Sequence, residues 1–69
     1  MVRKMDEKEK LRILLSYWIA HNKDHAEEFR DWAGRAGELM PDIQAAADAV
    51  ELANESLEAA LEKLGGTGK

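Results

Sequence analysis

Two histidines four residues apart, His21 and His25, form the one pair in this sequence with the spacing of metal ligands. On a helix they project from the same side, one turn apart, and their imidazoles can share a divalent ion such as zinc, nickel or copper. Glu28 lies a further turn along. His21, His25 and Glu28 are therefore a candidate ligand set, which a two-fold dimer would double. Two known metal motifs do not fit. A zincin needs His-Glu-x-x-His, and Asn22 stands where the general base would be. A ferritin-like di-metal site needs Glu-x-x-His on paired helices, whereas this chain has the order His25-x-x-Glu28 on one segment.

The same residues have a purely structural reading. His25 can hydrogen-bond to Asn54 across a helical seam, with Asn22 beside them. Such a polar layer fixes helix register and partner number with no ligand at all. On that reading, Asn54→Leu changes the oligomeric state. A neutral, buried His25 would also make the fold acid-labile, because charging it costs desolvation.

Other chemistry is poorly provided for. There are no Cys residues, so disulfides and thiolate metal sites are excluded. No hydroxyl stands in a nucleophilic arrangement, and no glycine-rich loop opens a helix to cradle a phosphate. A net charge of −4 argues against a nucleic-acid surface. Apolar runs are a few residues long, too short to cross a membrane, and the helical polar faces are not basic enough to lie on one. The expectation is a non-enzymatic cytoplasmic protein without a signal peptide.

The elements that must position these residues are helical. Sixty-nine residues, 45% apolar and 35% charged, hold one small domain near the lower size limit for folding alone. Asp6 followed by Glu9 is a capping box. Apolar positions then run Leu11, Leu14, Leu15, Trp18, Phe29, Trp32, Ala36 and Leu39 at steps of three and four, with Asn22 and His25 keeping the register. A helix over about residues 6–36 follows. Gly37 suits a helix end, and Pro41 suits the first turn of a second helix over about 41–64. Residues 1–5 and 65–69 are expected to be flexible ends of a single domain over 6–64. If the chain reverses near residues 39–40, facing residue numbers add to about 79, and Asn54 comes level with His25.

The fold expected is all-α: an antiparallel helical hairpin with a long first helix. From Leu11 to Ile19 the first helix is apolar around most of its circumference, so a single partner helix cannot cover it. Dimerisation into a four-helix bundle answers this, with Ile13, Tyr17 and Ile19 as interface candidates. The alternative is a monomeric three-helix bundle, broken near Asn22 where Asp24-x-x-Glu27 could cap a new helix. Asp48, Glu51, Glu55, Glu58 and Glu62 line the far side of the second helix and read as a solvated face.

The run from Leu14 to Phe29, with Trp32-Ala33 after it and Ala53-Asn54 with Leu57, Ala60, Leu61 and Leu64 later, resembles a known pattern. It is that of a small helical domain of unknown function from anaerobic bacteria and archaea. That domain occurs alone or beside CooT-type nickel-binding proteins of carbon monoxide dehydrogenase maturation. The resemblance covers about residues 11–64, and its specific part is Trp18-Ile19-x-His21-Asn22-x-x-His25-Ala26-x-Glu28-Phe29. It implies an accessory or metal-trafficking setting; the nickel-binding partner's own domain is not present in this chain. Two functions are therefore expected as alternatives. One is a metal-handling accessory protein using nickel or zinc. The other is a structural or interaction module that pairs with itself or with another protein.

Overall fold

The computed structural model describes residues 6–65. The flexible ends expected over 1–5 and 65–69 lie, apart from Gly65, outside the described residues. The architecture is a two-helix hairpin. Helix α1 spans Glu7–Ala33, a short 3-10 turn spans Gly37–Leu39, and helix α2 spans Met40–Lys63. There is no strand among the described residues. The first helix runs unbroken through Asn22, so the alternative break that would have made three helices does not occur. The weak helix formers between His21 and Asp24 are carried by the flanking turns, which pack on α2.

Local signals explain the ends. The Asp6 side chain accepts the Glu9 backbone N–H at 2.9 Å, closing one orphan donor of the first turn. After Ala33 the chain tightens, with the amides of Arg35 and Ala36 donating to Trp32 and Ala33. Gly37 then takes φ +60°, a conformation natural to glycine, and turns the chain. Pro41 sits in the first turn of α2, where its missing N–H costs nothing. At the far end Gly65 adopts φ +114°, and the Arg12 guanidinium of α1 donates to the Leu64 carbonyl at 3.0 Å. A cation is thus held at the negative end of α2.

The helices pack in a register one turn tighter than the sequence spacing suggested. Paired residue numbers add to 76, as for Arg12 with Leu64 and Asn22 with Asn54, rather than to 79. The reason is that α1 stops at Ala33, not near residue 36, and the reversal is centred closer to residue 38.

The seam on α1 is also rotated by one residue at alternate positions. It uses Leu15, Ile19, Asn22, Ala26 and Ala33 against Ala47, Asn54, Leu57 and Leu61 of α2. Leu15, Ile19 and Leu61 form the core cluster, with Leu57 and Leu64 packed on it. Towards the turn the contact is made by alanines. Trp18, His25 and Trp32 were expected on this seam, but each is displaced by the residue after it: Ile19, Ala26 and Ala33. Small side chains let the two backbones approach closely along the turn half of the hairpin, where a tryptophan would hold them apart. Trp18 remains 39% exposed and Trp32 59% exposed.

Candidate functional site

The hairpin has two broad sides, and the helix period assigns each residue to one of them. On the first side, Arg30 reaches across to α2. Its guanidinium donates to Asp48 and Glu51 at 2.8 Å each, and more weakly to Gln44 at 3.3 Å. The bonds to Glu51 and then to Asp48 hold Arg30 above its already high ordinary pKa, so it stays charged at any working pH. Glu55, Glu58 and Glu62 continue this charged side along α2. The solvated acidic stripe read from the sequence is therefore partly an intramolecular clamp. Nothing in the spacing of the sequence singles out Arg30. Its signal was a basic residue on the flank that faces the acidic stripe once the register is known.

On the second side α1 presents Leu11, Leu14, Trp18, His25, Phe29 and Trp32. Beside them α2 presents Ile43, Ala46, Val50, Ala53, Leu57, Ala60 and Leu64, seven positions at heptad spacing without a charge. Among the described residues Leu11, Leu14, Trp18 and Trp32 are left substantially exposed. The Arg35 guanidinium lies 4.5 Å from the Trp32 ring centre at the end of this side.

The polar layer between the helices is real but differently composed. Asn54 is buried, 6% exposed. Its Nδ2 donates to the Ile19 carbonyl at 3.0 Å, and its Oδ1 accepts from Asn22 Nδ2 at 3.0 Å. Both ends of the amide are thus satisfied. His25 is not its partner: the imidazole stands on the apolar side with its side chain 46% exposed. The burial on which the acid-lability expectation rested is absent.

His21 and His25 do come together. Their Nε2 atoms are 3.1 Å apart, one donating and the other accepting, and the rings meet edge to face with centroids 4.5 Å apart. The pair continues into a row of rings at i,i+4 spacing. Tyr17 stacks on His21 at 5.3 Å, and Phe29 stacks on His25 at 6.1 Å. Glu28 approaches the other nitrogen of His25, with Oε1 3.4 Å from Nδ1. Glu28 is thus beside the pair and does not converge with both Nε2 atoms. Among the described residues no three His, Asp or Glu side chains are grouped to hold an ion within one chain.

Of the expected interface residues, Ile13 and Tyr17 are exposed, further round α1 from α2. Ile19 is 9% exposed and belongs to the core cluster, so it is not available to another chain. No helix of the described residues is long and apolar enough to cross a membrane.

Residues 11–64 match the family described as Domain of unknown function (DUF8180), and the chain belongs to that family. No curated protein and no solved structure matches it. The small helical domain of unknown function resembled by the sequence is thus supported over the same residues, while the match says nothing of CooT-type neighbours.

Proposed function

We propose that this DUF8180 chain is a non-catalytic cytoplasmic interaction module that works by pairing with a second copy of itself. One observation carries the reading: the hairpin has an uncharged apolar side, formed by both helices, that its own fold leaves open. Two helices about 10 Å across, lying together for six turns, make a face on the order of 650 Å². That approaches the ~800 Å² each partner gives up in a stable complex. The face is also complementary to itself. A bulky stripe on α1, with Trp18, Phe29 and Trp32, can seat on the alanine stripe of α2 in the other copy, Ala46, Ala53 and Ala60. Asp48, Glu51, Glu55, Glu58 and Glu62 of α2 point to the opposite side, so two chains of net charge −4 can meet here without opposing this stripe. The product is a four-helix bundle.

Size-exclusion chromatography with light scattering tests this over micromolar to millimolar concentration. The expected result is a mass near twice 7.7 kDa, falling on dilution. A mass of 7.7 kDa throughout overturns the reading.

A second reading, metal handling, is favoured by the 3.1 Å separation of the two imidazole Nε2 atoms. It also suits the metal-trafficking setting that the resemblance to domains found beside CooT-type proteins implies. Uptake of nickel or zinc that is lost in the His21→Ala/His25→Ala double variant would support it. No uptake at micromolar metal would remove it.

A further inference from the structure

The histidine pair lies on the very side that the self-pairing reading covers, and near the middle of it. The bulky stripe of α1 begins at Leu11 and ends at Trp32, so its midpoint falls beside His21 and Asn22. A two-fold axis lying in the covered face has two orientations. Run along the helices, it keeps equal residue numbers of the two copies at equal heights. Run across them, it inverts heights about its crossing point, and the stripes then overlap fully only when that point is their middle. The first orientation lays α1 on α2 of the other copy and leaves the two His21/His25 pairs level but on a diagonal. The second lays α1 on α1 and brings the two pairs face to face, and the shared site selects this second orientation.

Within one chain the two Nε2 atoms stand at a separation that two ligands of one ion can take, once an ion replaces the proton they share. Two nitrogens held ~2.05 Å from a tetrahedral zinc lie about 3.3 Å apart, and here they stand at 3.1 Å. Tyr17 and Phe29 stack on the outer faces of the two rings and limit their rotation. Glu28 beside Nδ1 of His25 favours the tautomer that leaves Nε2 with its lone pair, the orienting role a carboxylate plays behind a metal-bound histidine. Among the described residues of one chain no third ligand joins these two, so the coordination shell is half filled.

We propose that His21 and His25 of two copies form a four-imidazole site for a divalent transition-metal ion on the two-fold axis, so that metal binding and self-association strengthen each other. The site rests on the self-pairing reading, and the test separates the two. Native mass spectrometry and sedimentation velocity are run on the full chain in chelator, then with Zn²⁺ and with Co²⁺, alongside the His21→Ala/His25→Ala double variant. Both histidines are exposed, and far-UV circular dichroism checks that the variant stays helical.

The expected result is one ion per two chains and the visible absorption bands of tetrahedral Co²⁺. The dimer should also be about 100-fold tighter at free Zn²⁺ one hundred times the site's Kd. The variant should lose all three effects and still dimerise in chelator. A dimer that forms only with metal keeps the shared site and removes metal-free pairing. A dimer that takes up no ion, or one ion per chain, overturns the shared site and leaves self-pairing standing. A chain that is monomeric with and without metal overturns both.

Discussion

The two sides of the hairpin are built from the same helices and differ in how they are closed. On the charged side Arg30 of α1 satisfies Asp48 and Glu51 of α2, and the remaining carboxylates are free to be hydrated. On the apolar side Trp18, Trp32, Leu11 and Leu14 stay substantially exposed among the described residues, with Arg35 lying over the Trp32 ring. Water is a good solvent for the first side and a poor one for the second. A core of Leu15, Ile19 and Leu61 plus alanines is small for a domain of this length, and much of its apolar surface stays outside it. The comparison teaches that the hairpin is half of a core, with the other half on one identifiable side.

The largest effect should come from charging the open side. Trp18→Glu with Trp32→Glu is expected to weaken self-pairing by about 4 kcal/mol, near 1000-fold, measured by sedimentation equilibrium. An unchanged dissociation constant would mean that the two sides do not differ in the way described. Leu61→Ala, between the helices, should lower unfolding stability by about 3 kcal/mol in a urea titration. A loss under 1 kcal/mol would remove Leu61 from the core that joins the helices.

Next in size is Asn54→Leu, expected to lower stability by about 2 kcal/mol, since it strands the Asn22 amide in the seam. Asn54 lies between α1 and α2 of one chain, so the melting midpoint should fall while the assembly keeps its stoichiometry. A changed stoichiometry at an unchanged midpoint would put this layer between chains instead. The smallest effect belongs to the charged side. Arg30→Ala should cause a slight, salt-dependent fall in midpoint, because its pairs are exposed and screened. It should leave self-pairing as it was; loss of the dimer would show that the charged side is also an interface.

Much of the fold was legible in the residues. Asp6, Gly37 and Pro41 marked the ends of two helices, and the three-and-four spacing made them amphipathic. The seam was harder, because α1 carries two heptad phases one residue apart. One phase has Trp18, His25 and Trp32, and the other has Ile19, Ala26 and Ala33. Periodicity alone favours the bulky phase as core. Close helix approach favours the small one, and that depends on which residues α2 brings opposite. The same offset moved His25 out of the polar layer and brought Asn22 to Asn54. The His21/His25 pair was legible because i,i+4 contact lies within one helix and needs no register.

The account's central claim is that the side bearing both tryptophans is covered by a second copy. Tryptophan emission over a dilution series tests it directly, since Trp18 and Trp32 are the chain's two tryptophans and both stand on that side. The account predicts blue-shifted emission with weak acrylamide quenching at high concentration, passing to red-shifted, readily quenched emission on dilution. Emission that stays red and fully quenchable at every concentration would contradict it.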